Sequence, residues 1–269
     1  MVRRGVVPSR EAARREIMAG RVLVDGAFAD KPARMVEAAQ NITLAGPPPR
    51  FVGRGGEKLA GALDAFGIDP TGYRCLDAGS STGGFTDCLL QAGAASVLAV
   101  DVGTNQLHER LRTHPRVEVR ERTDIRTLTV ADLDDRPVDL VVGDLSFISL
   151  RLVLPAVVPL VGPEGSLVLL VKPQFEAGRD EASKGRGIIT DPAIWRRVLS
   201  EVVDAAEAAG AGLAGIAPSP ITGSAGNVEF VAWLRPGRSS MPGSEEALDA
   251  VVADAQRLGA ASDAAESGA

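Results

Sequence analysis

Cysteine and histidine are scarce in this 269-residue chain, which contains two of each. Cys75 and Cys88 fall in a predicted strand and a predicted helix, where buried reduced thiols are common, so a disulfide framework is not expected. The two cysteines and two histidines form no C-x-x-C or H-E-x-x-H pattern, and no metal site is predicted. Aromatic residues make up 4% of the chain, so the core is expected to consist of Ala, Val, Leu and Ile.

Long apolar runs are also missing. No segment approaches the roughly 18 apolar residues that a membrane span requires. The richest run, residues 152–161, contains Pro155 and Pro159. The arginine-rich N-terminus lacks the apolar stretch of a signal peptide. We therefore expect a cytoplasmic protein without a membrane partner.

Charge is unevenly distributed along the chain, although the net charge is −6. Residues 1–58 contain eleven Lys and Arg against six acidic residues, a balance of +5, whereas the remainder balances at −11. A basic arm on an acidic body is typical of a local phosphate-binding surface.

Residues 1–46 are predicted to form a small α+β domain. Ser9 is a suitable N-cap for a basic helix that Gly20 ends, and residues 21–26 form a short strand that enters an Asp-Gly turn. The basic helical face suits contact with nucleic-acid phosphates; a merely solvated arginine face is the alternative. Three prolines make residues 47–53 a linker.

Strand and helix patterns alternate between residues 54 and 235. This alternation predicts an α/β fold, with a mostly parallel, doubly wound, Rossmann-like sheet and helices on both faces. Residues 236–269 form an acidic tail that is predicted to be partly helical.

The stretch 75–86, CLDAGSSTGGFT, is an apolar strand that ends in an acid, followed by a glycine-rich turn and a helix start. This is where α/β sheets bind nucleotide-like cofactors. The spacing is not the dinucleotide G-x-G-x-x-G, and it resembles motif I of methyltransferases that use S-adenosylmethionine (SAM). An acid near the loop suits the ammonium and sulfonium of SAM. The alternative is a plain glycine-rich turn. The predicted cofactor-binding residues here are Asp77, Gly79, Ser81, Thr82, Gly83, Gly84 and Phe85.

Two further acids extend this predicted cofactor site. Asp101 ends the apolar strand 97–101, where a carboxylate can accept hydrogen bonds from both ribose hydroxyls of a nucleoside. Asp124 follows the next strand, near the expected adenine. An ordinary turn acid is the alternative for each.

A second constellation consists of Lys58, Asp144, Lys172 and Glu229. Asp144 and Lys172 each follow an apolar strand, so both are predicted to project from the carboxyl edge of the sheet, where ligands bind. The order Lys–Asp–Lys–Glu resembles the catalytic tetrad of the FtsJ/RrmJ-like RNA ribose 2′-O-methyltransferases. For each residue alone, a helix-end lysine or a strand-end salt bridge is the alternative.

Between residues 2 and 235 the chain resembles the TlyA family, on the motifs VRRG, RGGEKL, LDAGSSTGGFTD, DLSFIS, KPQFE and GNVEF in this order. The resemblance implies an S4 RNA-binding domain followed by an FtsJ-like methyltransferase domain, with SAM as cofactor. It implies action on cytidine in ribosomal RNA of the small subunit, the large subunit or both. We also expect the chain to be monomeric. The family pattern usually begins a few residues earlier, so either this chain starts late or its first helix is shortened. RNA contacts are implied for Arg3, Arg4, Arg10, Arg14, Arg15, Arg21 and Lys31.

The tetrad suits methylation of a ribose hydroxyl, because such a hydroxyl must lose its proton as it attacks the methyl group. Lys172, crowded by Lys58, is the candidate base or hydroxyl-orienting group, and Asp144 and Glu229 would hold the two lysines. Lys58 is also a candidate to fix a phosphate. The charged loop 178–187 offers Arg179, Lys184 and Arg186 for further phosphates, or is simply solvated.

Three other functions compete with this hypothesis. The family was once labelled hemolysins, which suggests a membrane-active protein, but no amphipathic or spanning element supports it. A nicotinamide oxidoreductase would require the missing G-x-G-x-x-G. A non-catalytic ribosomal RNA-binding assembly factor would not need an intact tetrad.

Overall fold

The structure is a computed structural model that describes residues 1–7, 9–18, 20–29, 31–46, 49–185, 187–223 and 225–267. The chain divides into two compact units, Met1–Pro49 and Arg50–Ala269. Residues 50–53, part of the predicted linker, belong to the second unit. The reason is apolar burial, since Phe51 is 3% exposed and packs in that unit's core. Pro47 and Pro48 of the linker lie outside the described residues.

The first unit is a helix packed with a small antiparallel sheet. After a 3-10 turn at Val2–Arg4, its elements are α1 (Arg10–Met18), β1 (Val22–Val24), β2 (Ala27–Phe28) and β3 (Ile42–Leu44), with strand order β2-β1-β3. The Ser9 hydroxyl accepts a hydrogen bond from Ala12 N at 3.0 Å, the N-cap that its position predicts. Val22, Val24 and Ala29 form the small core.

The second unit is built on a seven-stranded sheet with the order β6-β5-β4-β7-β8-β10-β9. Its strands are β4 (Arg74–Ala78), β5 (Ser96–Val100), β6 (Val117–Arg120), β7 (Val138–Gly143), β8 (Val161–Val171), β9 (Ala211–Pro218) and β10 (Phe230–Pro236). Its helices are α2 (Gly55–Phe66), α3 (Gly84–Gln91), α4 (Glu109–Arg112), α5 (Leu150–Val157), α6 (Pro173–Glu176), α7 (Arg179–Lys184), α8 (Pro192–Ala208) and α9 (Ser244–Ser267).

The strand order reverses between β4 and β7, since β5 and β6 lie on one side of β4 and the later strands lie on the other. Strands β4 to β8 pair in parallel, whereas β10 lies antiparallel between β8 and β9. In open α/β sheets, ligands bind beyond the carboxyl ends of the strands at such a reversal. The predicted Rossmann-like α/β class is confirmed.

The core lies on both faces of this sheet, as the near-continuous apolar runs of its central strands require. One cluster contains Leu76, Val141, Leu154 and Leu199, and the other contains Leu59, Leu89, Val142 and Leu170. The tail helix α9 packs on the first cluster through Leu248, Val251, Val252 and Ala255. An apolar stripe at this spacing keeps the otherwise acidic helix on the body.

Local differences from the sequence expectations concentrate after β8. The charged loop predicted at 178–187 contains the short helix α7, and KPQFE continues directly into α6. Glu229, expected at the start of the last strand, lies just before β10.

Candidate active site

The glycine-rich loop between β4 and α3 has a backbone that other residues would not adopt. Gly79 has φ +80° and Gly83 has φ +96°. A Cβ atom on Gly79 would lie 2.9 Å from Leu145 Cδ2, and one on Gly83 would overlap Leu111. The loop therefore requires glycine for its conformation and for close packing, and it leaves bare backbone for a ligand to approach.

Asp101 holds this loop from the end of β5. Its Oδ2 accepts from Ser81 N and its Oδ1 from Gly103 N, both at 2.7 Å. A cavity of about 540 Å³ beside it is lined by Asp101, Asp124 and Ser146, among other residues. Each carboxylate oxygen of Asp101 keeps a second lone pair, so a diol could still bind there.

Asp124 lines the same cavity, but its carboxylate forms an ion pair with Arg126. Its Oδ2 lies 2.5 Å from Arg126 Nη2, and this hydrogen-bonded pair lowers the pKa of the Asp124 carboxyl. The carboxylate also accepts from Arg126 N and caps the 3-10 turn Ile125–Thr127. Contact with an adenine stays a prediction for this residue.

Asp77 lies beneath the loop with no exposed surface. Its Oδ2 accepts from Thr86 Oγ1 at 2.6 Å, while its Oδ1 has no hydrogen-bond partner within the described part of the chain. Burial raises the pKa of the Asp77 carboxyl to about 7. In this conformation Asp77 supports the loop from below, and a cofactor contact stays a prediction.

The four residues predicted as a tetrad come together at the carboxyl edge of the sheet. Lys172 Nζ lies 2.5 Å from Asp144 Oδ1, and Asp144 Oδ2 lies 3.8 Å from Lys58 Nζ. Lys58 Nζ in turn donates to Glu229 Oε2 at 2.5 Å. The result is a continuous chain of alternating charge from Lys172 to Glu229.

Burial of these charges lowers the stability of the fold unless the charges are paired. Lys58 and Lys172 are each 7% exposed, and Glu229 is 3% exposed. Buried charges persist only when they are paired and hydrogen-bonded, and here two cations offset two anions. The group is neutral overall, so it suits a neutral polar acceptor such as a hydroxyl.

A cavity of about 270 Å³ joins the tetrad to the glycine-rich loop. Its lining includes all four tetrad residues together with Gly79, Ser81, Thr82, Gly84 and Phe85 of the predicted cofactor site. Gly79, Ser81, Asp144 and Ser146 line both this cavity and the one beside Asp101. The predicted cofactor site and the tetrad are therefore neighbours.

Two residues at the tetrad cavity escaped the sequence analysis. Ser146 Oγ accepts from Lys172 Nζ at 2.8 Å, and the exposed Arg54 donates from Nη2 to Thr222 O at 2.8 Å. Ser146 follows Asp144 by two positions, just after β7. Arg54 precedes Lys58 by about one helical turn. These short distances in sequence from two predicted site residues could have identified both as candidates.

In the first unit, a cavity of about 700 Å³ is lined by apolar and basic side chains. Its basic lining residues are Arg3, Arg4, Arg10, Arg14, Lys31 and Arg34, all of them exposed. Arg21 does not line this cavity, and its Nε lies 2.9 Å from Glu16 Oε2. The Arg15 and Arg179 side chains and the whole of Arg186 lie outside what the structure describes.

Comparison with known families agrees with this arrangement. Residues 51–236 match the FtsJ-like methyltransferase family and residues 1–42 match the S4 domain. The chain belongs to the FtsJ-like methyltransferase family.

Relatives of this FtsJ-like methyltransferase extend over most of its length. It is 48% identical to the 16S/23S rRNA (cytidine-2′-O)-methyltransferase TlyA of Mycobacterium tuberculosis over 236 residues, 87% of each chain. It is 38% identical to Hemolysin A of Brachyspira hyodysenteriae, over 85% of this chain and 94% of that one. A solved structure described as a hemolysin from Streptococcus thermophilus aligns with a TM-score of 0.78 and 40% identity, covering 93% of this chain and 91% of that one.

Two further observations bear on the competing functions. Within the described residues, no helix has the length and apolar character needed to cross a membrane. The same residues contain no cluster of His, Cys, Asp and Glu side chains suited to a metal ion.

Proposed function

We propose that this FtsJ-like methyltransferase transfers a methyl group from SAM to the ribose 2′-hydroxyl of cytidine in ribosomal RNA. The observation that supports this most is the alternating chain Lys172–Asp144–Lys58–Glu229 beside a glycine-rich loop. The family assignment and the name of the Mycobacterium relative supply the reaction class and the nucleotide.

The residues present fit SAM as the methyl donor. Gly79 and Gly83 keep the loop bare, Asp101 keeps lone pairs for ribose hydroxyls, and Asp77 Oδ1 is a buried acceptor without a described partner. When bound, SAM supplies an activated methyl group. We infer that Asp101 and the loop 79–84 hold it, with Phe85 and the cavity beside Asp124 completing the site.

We infer that the Lys172 ammonium orients the attacking hydroxyl, whose proton passes to solvent as the hydroxyl oxygen is methylated. Lys172 Nζ donates to Ser146 Oγ at 2.8 Å and forms an ion pair with Asp144, at 2.5 Å from Oδ1. Because an ammonium has three N–H groups, at least one is left for a substrate oxygen. Asp144 fixes both lysines, and Glu229 holds Lys58 from the far side. Most of the rate enhancement in this scheme comes from positioning, which is worth several orders of magnitude in enzymes.

RNA recognition is assigned to two basic surfaces. The exposed Arg and Lys side chains around the first unit's cavity suit phosphates of folded RNA, in keeping with the S4 match. At the tetrad cavity, the Arg54 guanidinium is fixed by a carbonyl rather than neutralised by a carboxylate. It therefore suits a phosphate beside the target ribose. All four tetrad residues come from one chain, which fits a monomer, and a ribosomal substrate implies a cytoplasmic location.

Mass-spectrometric mapping of ribosomal RNA tests this proposal. Cells that express the chain should gain a cytidine ribose methyl that cells without it lack. Lys172→Met should abolish the methyl, because the hydroxyl loses its orienting group. Arg238→Met removes a cation that pairs with Glu164 at the opposite edge of the sheet and should leave the methyl in place. An unmodified RNA with the wild-type chain, or full methylation by Lys172→Met, would overturn the proposal.

A further inference from the structure

Two segments beside the tetrad are joined at both ends. One segment, residues 144–150, leads from β7 into α5, and the other, residues 172–176, consists of Lys172 and helix α6 after the adjacent strand β8. We call this pair of segments the clasp. At its catalytic end, Lys172 Nζ forms an ion pair with Asp144 and donates a hydrogen bond to Ser146 Oγ. In the middle, the rings of Phe147 and Phe175 lie 5.1 Å apart.

Glu176 closes the other end of the clasp. Its Oε1 accepts from Leu150 N at 2.7 Å, and its Oε2 accepts from Ser149 Oγ at 2.5 Å. Its backbone carbonyl accepts from Arg151 Nη2 at 2.9 Å. The two segments are thus joined twice, at one end through Lys172 and at the other through Glu176.

Capping of α5 alone does not account for Glu176. Ser149 is already the N-cap of α5, since its Oγ accepts from Arg151 N at 3.2 Å. Glu176 is 2% exposed, and burial raises the pKa of its carboxyl. Its two hydrogen bonds and an ion pair with Arg151, whose Nε lies 3.6 Å from Oε2, offset the cost of burying this acid. The same bonds fix the end of the segment that follows β7, which gives Glu176 a role beyond capping.

That role is visible in the loop that it restrains. Phe147 has φ +64°, in the left-handed region that a phenylalanine rarely adopts, and it is 92% exposed. Residues 144–149 therefore hold a strained backbone while presenting two partners to the Lys172 ammonium. A strained loop keeps one geometry only when its surroundings fix both ends.

We propose that Glu176 is a positioning residue for methyl transfer, which acts by fixing the loop that holds the Lys172 ammonium. Glu176 touches neither substrate nor cofactor in this scheme. The inference rests on the proposed function, since it concerns the same site. It also gives the last residue of the KPQFE motif a role that the sequence analysis left open.

Steady-state and single-turnover kinetics of Glu176 variants test the inference on purified ribosomal subunits. Glu176→Ala should lower kcat by about tenfold or more, because displacements near 1 Å at a reacting group have effects of this size. The KM for ribosomal subunits and the affinity for SAM should change little. Glu176→Gln should recover most of kcat, since its amide oxygen can accept from Leu150 N and its NH2 group can donate to Ser149 Oγ.

Asp132→Ala is the matched control. Asp132 caps a 3-10 turn, Val130–Leu133, that precedes β7 at the opposite edge of the sheet, and its Oδ2 accepts from Thr129 N at 2.9 Å. This variant should lose stability without losing kcat, with folding checked by circular dichroism at the assay temperature. An unchanged kcat in Glu176→Ala, equal losses in the Ala and Gln variants, or an equal kcat loss in Asp132→Ala would overturn the inference. An inactive wild-type chain would instead refute the proposed function itself.

Discussion

Removing Lys58 should destabilise the second unit through the charge it leaves behind. Glu229 is 3% exposed, and its Oε2 receives a hydrogen bond from Lys58 Nζ at 2.5 Å. Breaking a buried pair by removing one partner typically costs about 3–5 kcal/mol. We therefore expect Lys58→Met to lose about 3–5 kcal/mol of unfolding free energy. For a unit of this size, a loss of about 3–5 kcal/mol corresponds to a fall in Tm of about 6–20 °C.

A double variant separates charge from packing. Lys58→Met with Glu229→Gln removes both charges and should return to within about 1 kcal/mol of wild type, as neutral replacements of buried pairs generally do. Urea unfolding at pH 7 measures the unfolding free energies of the wild type, Lys58→Met and the double variant, and methyl transfer is measured in parallel. Both variants should be inactive. A loss below about 1 kcal/mol in Lys58→Met, or a double variant as unstable as Lys58→Met, would refute the reasoning.

Three further predictions concern the loop, the buried acid beneath it and the first unit. Gly79→Ala should abolish SAM binding in calorimetry, because the φ of Gly79 is +80° and the new Cβ would lie 2.9 Å from Leu145 Cδ2. Gly210→Ala is the control, since Gly210 has φ +89° and no atom within 4 Å of the position of a new Cβ. Asp77→Asn should flatten the pH dependence of stability. With a folded pKa of about 7, Asp77 lowers stability as pH rises from about 4 to 7, by up to about 1.4 kcal/mol per unit. Parallel stability–pH curves for the Asn variant and wild type would contradict this. Arg14→Ala should weaken ribosomal RNA binding and reduce the slope of log K against log salt by about 1; an unchanged slope would exclude a phosphate contact.

Sequence patterns predicted most of the fold because the second unit is regular. The strands predicted at 74–77, 96–101 and 117–120 correspond to β4, β5 and β6, with ends that differ by at most one residue. Residues in irregular segments were harder to place. Helices α6 and α7 follow a strand end, and their four and six residues are too few to show a helical period.

The tetrad could be placed on one edge from sequence, but its connections could not. Two strand ends fix Asp144 and Lys172 at the carboxyl edge, and Glu229 reaches the same edge because β10 runs antiparallel. The alternation of charge depends on side-chain distances that no spacing encodes. The roles of Ser146 and Glu176 could not be predicted for the same reason, since these roles depend on contacts between two segments that are distant in sequence.

The buried polar side chains of this fold are concentrated in one region, although their burial lowers the stability of the protein. Within the described residues, the side chains in question are Lys58, Asp77, Ser80, Thr86, Asp87, Lys172, Glu176, Ser219, Asn227 and Glu229. Every one of them lies at the carboxyl edge of the parallel strands or at the amino end of the antiparallel β10. Burial of polar groups is costly, so a fold under selection for stability alone would not concentrate ten of them at one edge. Substitutions that stabilise the opposite edge should therefore leave methyl transfer unchanged, whereas replacing both members of a buried pair at this edge by neutral side chains should abolish methyl transfer with little loss of stability.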